Sequence, residues 1–158
     1  MQHKSKEYDR EKHDRWYALS VKQPWASHIA NGNKTIEVRS HYLNYRGDVM
    51  ICSSASPSSK DMPGGVTLCL AELYDVKKIC DFTDKDWALT MIPEPMRPKE
   101  GYGWKLRNIR RVVEFPVKGQ LGLWRLVYTK GNIVEVPKHL RYDKKLKTWV
   151  FDAPQIKK

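Results

Sequence analysis

The sequence predicts an α+β protein that is mainly β, a small β-barrel flanked by short helices. Apolar and β-branched runs are short and numerous, the helical segments are brief, and no internal repeat is visible. The length of 158 residues and the 41% hydrophobic fraction suffice for one packed core. We therefore expect one domain, preceded by a polar leader over residues 1–14 and followed by a basic C-terminal extension over 138–158.

Each predicted strand is a short apolar or β-branched run bounded by turn residues. The predicted strands cover residues 16–19, 35–38, 49–55, 66–76, 104–106, 109–115, 123–128 and 133–136. Arg107 and Asn108 are predicted to form the corner between two of them. The Ser-, Pro- and Gly-rich stretch 56–65 is predicted to be an exposed loop.

Two short helices complete the predicted order. The first covers 23–31, and the second covers 85–91 with Thr83 or Asp84 as its cap. Prolines at 93, 95 and 98 then exclude a regular element. Trp87 and Trp124 are predicted to be core residues, because large aromatic side chains dominate packed interiors.

A polar corner follows the first predicted strand. Pro24 suits the first position of a helix, where its missing N–H costs nothing, and Gly32 suits the position just past the helix end. Lys34, Glu37 and Arg39 then fall within six residues. Because side chains alternate along a strand, we expect Glu37 and Arg39 on one face. Three ionisable groups beside an ordered corner indicate a functional site.

The net charge of +11 is polarised along the chain. Residues 97–125 carry eight Lys and Arg against two acidic residues, and 138–158 carry seven against two, whereas 49–96 carry four against seven. Trp104 and Trp124 lie within the first basic stretch. Cations interleaved with aromatic platforms are typical of single-stranded nucleic-acid binding. The sequence therefore predicts nucleic acid as the partner, RNA first and DNA second.

Cysteine usage and hydropathy argue against a metal-binding, membrane-spanning or secreted protein. Cys52, Cys69 and Cys80 show no Cys-x-x-Cys spacing and no histidine at ligand spacing, so we expect free thiols, no metal and no cofactor. No run approaches the roughly 18 apolar residues of a membrane span. The N-terminus is polar and does not read as a secretory signal. A cytoplasmic protein without membrane contact is expected.

Several blocks between residues 16 and 127 carry a family resemblance. Residues 19–26 read Leu-Ser-Val-Lys-Gln-Pro-Trp-Ala, and 32–39 follow the pattern Gly-x-Lys-x-x-Glu-x-Arg. Residues 103–111 read Gly-Trp-Lys-Leu-Arg-Asn-Ile-Arg-Arg, and 116–124 read Pro-Val-Lys-Gly-Gln-Leu-Gly-Leu-Trp. In these motifs and their order the chain resembles the ASCH domain family. The resemblance implies a PUA-like barrel over 15–137, with a cleft beside it that holds Lys34, Glu37 and Arg39.

The first functional hypothesis is a module that binds RNA through a basic, aromatic-edged cleft. Cations would contact phosphates, Trp25 or Trp104 would stack on a base, and Glu37 or Asn108 would hydrogen-bond base edges. The predicted nucleic-acid-binding residues are Lys22, Gln23, Trp25, Lys34, Glu37, Arg39, Trp104, Asn108, Arg110, Arg111 and Lys118.

The alternative hypothesis is a hydrolase that acts on a modified nucleoside or on RNA through the same cleft. Some small bacterial members of the resembled family remove the acetyl group from N4-acetylcytidine. This chain is similar to them at Lys34 but has Glu37 where they carry a threonine. In an enzyme, Lys34 and Glu37 would be the catalytic residues, with the lysine as a base of lowered pKa. A protein-interaction module is a third hypothesis and requires an exposed apolar patch.

Overall fold

The computed structural model of the chain describes residues 12–59, 61–129, 131, 133–136, 140–143, 145 and 148–151. Residues 1–11 of the predicted leader and most of the predicted extension over 138–158 lie outside these ranges. Strands dominate and the helices are short, as expected for a mainly β protein. The strands are β1 (His13–Val21), β2 (Ile36–Arg39), β3 (Gly47–Ser53), β4 (Thr67–Lys78), β5 (Tyr102–Arg111), β6 (Leu123–Thr129), β7 (Leu140–Asp143) and β8 (Thr148–Phe151). The helices are α1 (Trp25–Ala30) and α2 (Asp84–Thr90), with single 3₁₀ turns at Ile79–Asp81 and Glu94–Met96.

Six strands form one sheet in the order β2-β5-β4-β3-β1-β6, and β7 pairs with β8 separately. Among the strand pairings of the described residues, only that of β1 with β3 is parallel. Within the described residues, β2 and β6 form the two edges, and no ladder joins them. The sheet is therefore not closed, and the predicted barrel is not confirmed. The predicted strand over 133–136 is reduced to a single bridge between Glu135 and Val112.

Two apolar clusters cover the two faces of the sheet. Alternate residues of β1 and β3, such as Leu19 and Ile51, pack with Ala26 and Ile29 of α1. The intervening residues, such as Ala18 and Met50, join the second cluster, which includes Trp124. This alternation is the period of two expected for strands buried on both faces. The core position predicted for Trp124 is confirmed.

The corner after β1 is the ordered turn that the sequence predicts. Pro24 is the N-cap of α1 with nearly helical angles, one position before the predicted first helical residue, and Gly32 follows the helix with φ +84°. The Gly32 N–H donates to the carbonyl of Ile29, so the glycine ends the helix. The helix covers Trp25–Ala30 and is shorter than the predicted 23–31.

The cap of α2 is also confirmed. The Thr83 hydroxyl accepts a hydrogen bond from the Asp86 N–H, and the Asp86 carboxylate accepts one from the Thr83 N–H. This reciprocal pair is a capping box, so Thr83 and not Asp84 is the N-cap of the helix. None of the helices in the described ranges is long and apolar enough to cross a membrane.

Strand β5 is continuous where the sequence predicts two strands. Asn108 adopts φ +51°, a backbone conformation that Asn tolerates better than most residues. Here Leu70 pairs with Arg110 but Glu72 pairs with Arg107, so β5 holds one residue more than β4. The predicted corner is therefore a bulge inside one strand, because β4 pairs with β5 on both sides of it.

Candidate functional site

A cleft of about 740 Å³ opens where the end of β1, the strand β2 and the loop before β6 meet. Three chain segments supply most of its wall. They are residues 20–22 with Trp25, residues 37–39 of the edge strand, and residues 117–122; Ser54, Ala55 and Gly65 complete the lining. The polar corner after β1 and the strand that carries Glu37 and Arg39 thus lie on the same cleft.

Close packing of the loop against β1 fixes one side of the cleft. A Cβ at Gly119 would overlap the hydroxyl oxygen of Ser20, so any other residue would require the loop or the Ser20 side chain to shift. The same hydroxyl accepts a 3.1 Å hydrogen bond from the Trp124 indole N–H. Ser20 is therefore held by the core on one side and meets the loop on the other.

Glu37 and Arg39 form the ionisable wall of the cleft. Arg39 Nε lies 3.5 Å from Glu37 Oε1, and Arg39 Nη2 donates a 3.1 Å hydrogen bond to the Ser20 carbonyl. Only 9% of Glu37 is exposed. Glu37 Oε2 and Arg39 Nε are buried atoms for which the described part of the chain supplies no hydrogen-bond partner. One acceptor and one donor in the cleft wall are thus left without a hydrogen bond.

Lys34 lies behind this wall and does not line the cleft. It is 1% exposed, and its ammonium group donates a 2.7 Å hydrogen bond to the Thr90 carbonyl. The ammonium nitrogen also lies 5.2 Å from the centroid of the Trp25 ring, a cation–π distance. The motif lysine therefore supports the cleft from inside the protein.

Burial sets the electrostatics of this group. Desolvation lowers the pKa of Lys34, with the Glu37 charge opposing the shift and Arg39 adding to it. Desolvation raises the pKa of Glu37 against the opposing charges of Lys34 and Arg39. Burial therefore disfavours the charged form of both side chains, and the attraction between Lys34 and Glu37 partly offsets this effect.

Five of the predicted residues line the cleft: Lys22, Trp25, Glu37, Arg39 and Lys118. Gln23 lies beneath it and is buried. Its side chain accepts a hydrogen bond from the Ser27 N–H and donates one to the Pro63 carbonyl, each 3.0 Å long. Gln23 therefore fixes the corner.

Other predicted residues lie elsewhere. Trp104 is 1% exposed and its indole N–H donates to the His41 carbonyl, so it is a core residue with no free face for stacking. Arg110 pairs with Asp48 by two contacts of 3.1 and 2.5 Å. Arg111 lines a different cavity of about 500 Å³ beside α1, and Asn108 is exposed at the β5 bulge.

Sequence reasoning missed Leu121, which lines the cleft and is 100% exposed. The sequence feature that could have indicated it is an apolar residue directly before Gly122, in a segment whose other residues predict a turn. The described residues contain no cluster of three His, Cys, Asp or Glu side chains able to hold a metal ion.

The fold and the cleft define a small, mainly β domain with an ionisable, concave site at one strand corner. The sequence model of the ASCH domain matches residues 19–149, and the chain belongs to the ASCH domain family. The resemblance in the four motif blocks is thereby confirmed.

Known relatives agree with this assignment. The chain is 27% identical over 137 residues to activating signal cointegrator 1 of Homo sapiens and 26% identical to that of Mus musculus. In each case 72% of this chain is covered but only 22% of the relative, so the chain spans about a fifth of their length.

Solved structures show the same fold. The crystal structure of an ASCH protein from Zymomonas mobilis superposes with a TM-score of 0.57 at 14% identity, over 70% of this chain and 86% of that one. A variant of the same protein gives a TM-score of 0.57 at 14% identity, over 70% and 87%.

Proposed function

We propose that this chain binds single-stranded RNA and that one unpaired base enters the cleft. The observation that carries the proposal is that two buried atoms of the cleft wall, Glu37 Oε2 and Arg39 Nε, make no hydrogen bond in the described structure. A buried carboxylate oxygen without a hydrogen bond is costly, and a ligand N–H removes that cost.

The chemistry of the pair favours the Watson–Crick edge of a base. Glu37 Oε2 accepts a hydrogen bond and Arg39 Nε donates one. Every nucleobase presents a donor next to an acceptor on that edge, and in a duplex both are already used. The cleft therefore suits an unpaired base, with Trp25 at its edge as the stacking surface.

The charge of the rim suits the phosphates. Lys22 and Lys118 line the cleft and are exposed, and the chain as a whole carries a net charge of +11. Lysines at a mouth of this kind bind phosphates as point charges and release counterions. RNA is the proposed ligand, with single-stranded DNA as the competitor to be compared.

Binding is favoured over hydrolysis because Lys34, the candidate base, is turned to the Thr90 carbonyl and is absent from the cleft wall. We also propose a cytoplasmic setting, since Cys52, Cys69 and Cys80 are all free thiols.

The test is the binding of a labelled single-stranded RNA across a salt series, with the products run on a denaturing gel. We expect intact RNA and an affinity that falls with salt. Lys22→Gln and Lys118→Gln should each reduce the slope of log affinity against log salt by about 0.7, the value for one single-strand phosphate. Lys99→Gln removes the same charge from an exposed site outside the cleft and should leave the affinity within about twofold.

Two results would contradict the proposal. One is binding that does not respond to salt or to the two cleft lysines. The other is RNA shortened or chemically altered by the wild-type protein, which would favour the hydrolase.

A further inference from the structure

A second concave site lies on the same sheet, away from the cleft. A cavity of about 360 Å³ is lined by Arg15, Tyr17, Tyr45 and Arg125, with Trp16 and Asp48. It is called the tyrosine pocket below. We infer that the tyrosine pocket is a second anchoring point for the same RNA strand and holds one nucleotide by its base and its phosphate. This inference rests on the proposed function of the cleft.

The two tyrosines form a fixed aromatic wall. The rings of Tyr17 and Tyr45 lie 4.4 Å apart between centroids, tilted by 55°. The Tyr45 hydroxyl donates a 2.8 Å hydrogen bond to the Asp48 carbonyl. A Cβ at Gly47 would come within 2.8 Å of that hydroxyl, so the glycine makes room for the ring. Aromatic rings held in place before a ligand arrives lose little entropy when a base stacks on them.

The charge of the pocket suits a phosphate. The guanidinium carbon of Arg125 lies 5.3 Å from the Tyr17 ring centroid, and Arg125 Nη2 donates a 3.2 Å hydrogen bond to the Tyr17 hydroxyl. That bond uses one of the five N–H donors of the Arg125 guanidinium. A guanidinium with donors still to use can bind a phosphate through two parallel hydrogen bonds.

The acidic residue of the pocket does not cancel this charge. Both carboxylate oxygens of Asp48 are engaged by Arg110, at 3.1 and 2.5 Å. Arg110 thereby offsets the charge of Asp48, while the side chain of Arg125 is exposed. The pocket is therefore cationic beside an aromatic wall, which is the chemistry that recognises a nucleotide.

The edge strand β6 connects the pocket to the cleft. Leu121 lines the cleft and Arg125 lines the pocket, four residues further along the chain. At about 3.3 Å per residue the two positions are about 13 Å apart if the chain is extended. Because β6 is an edge of the sheet and Leu121 is fully exposed, one strand of RNA leaving the cleft reaches the pocket along this edge.

The experiment compares a labelled trinucleotide with a labelled RNA of about ten nucleotides, a length within the range that small single-strand-binding domains cover. Arg125→Gln alters an exposed side chain and should fold normally. We expect Arg125→Gln to weaken binding of the longer RNA by about three- to tenfold and to reduce its salt slope by about 0.7, while the trinucleotide binds as to wild type. Lys22→Gln should weaken both RNAs, and Lys99→Gln neither.

The outcomes separate the two proposals. If Lys22→Gln weakens binding but Arg125→Gln leaves the longer RNA unaffected, the tyrosine pocket is overturned and the cleft stands. If Arg125→Gln weakens both RNAs equally, its charge acts at long range and the pocket is again overturned. If no RNA binds in a salt-sensitive way, the proposed function itself fails.

Discussion

The ammonium group of Lys34 donates a 2.7 Å hydrogen bond to the carbonyl oxygen of Thr90, the last residue of α2. Next to it, the Thr35 N–H donates to the Leu89 carbonyl at 3.0 Å. These bonds tie the entry of the cleft strand β2 to the end of a helix. The motif lysine is thus part of the framework that holds Glu37 and Arg39 in place.

Removal of the Lys34 side chain should therefore destabilise the protein. We expect Lys34→Ala to lower the free energy of unfolding by about 2–4 kcal/mol, because it leaves a cavity and an unpaired Thr90 carbonyl. Lys34→Met keeps most of the volume and should cost less. Urea unfolding measures both, with the exposed Lys22→Ala as a control expected within about 0.5 kcal/mol of wild type. Equal stability of Lys34→Ala and wild type would contradict this role.

Glu37→Gln should change how stability depends on pH. Burial raises the pKa of Glu37 in the folded protein above its ordinary value of 4.5. The folded state therefore holds this proton more tightly than the unfolded state, and the wild type loses stability as the pH rises above about 4.5. Glutamine does not titrate, so the stability of Glu37→Gln relative to wild type should increase over that window. Thermal unfolding from acid to neutral pH measures it, and a fall in the stability of Glu37→Gln relative to wild type as the pH rises would refute the sign.

The approach of Gly119 to Ser20 can be tested with a double mutant. Gly119→Ala should displace the loop 117–122 and weaken RNA binding, since its Cβ overlaps the Ser20 hydroxyl. In Ser20→Ala/Gly119→Ala the obstructing oxygen is absent and the Ser20 Cβ lies 3.4 Å away. The second substitution should recover part of the affinity that the first one loses. The Ser20→Ala single mutant measures the effect of losing the Trp124 hydrogen bond. If the losses of affinity in the two single mutants simply add in the double mutant, the Gly119–Ser20 contact is not the cause.

The Asp86 carboxylate should make stability depend on pH in the direction opposite to that of Glu37, so that stability is lost as the pH falls. The Lys77 hydrogen bond, and then the Thr83 N–H, lower the pKa of Asp86 from 3.8 to about 2. Its contribution to stability is therefore present above about pH 4 and is lost as the pH falls toward 2. We expect wild type to exceed Asp86→Asn in stability at pH 5 by about 1 kcal/mol, the usual value of a helix cap, with the gap closing in acid. A gap that stays constant over this range would contradict the prediction.

Local features of the fold could be predicted from the sequence. Gly32 ends α1 and Thr83 caps α2 because both choices depend on neighbouring residues alone. The grouping of Glu37 with Arg39 likewise follows from the alternation of one short strand. These parts of the site needed no knowledge of long-range pairing.

The faces taken by the residues after Asn108 could not be predicted, because the bulge there reverses which side chains of β5 point to each side of the sheet. Trp104 and Leu106 pack into the cluster beside α1, and after the extra residue at Asn108 it is Ile109 that faces this cluster. Without the bulge Arg110 would share the face of Trp104. A positive φ at a single Asn is not visible as such in the sequence, so the face that Arg110 takes cannot be predicted from strand alternation.

One edge strand of the sheet and the loop that leads into the other edge strand both line the cleft. Glu37 and Arg39 belong to the border strand β2, whereas Leu121 and Gly122 lead into the border strand β6. No backbone ladder joins these two edge strands in the described chain. On the proposed function, an RNA strand in the cleft contacts both of these segments. Bound RNA therefore links the two edges of the sheet reversibly, where the backbone forms no hydrogen bonds between them.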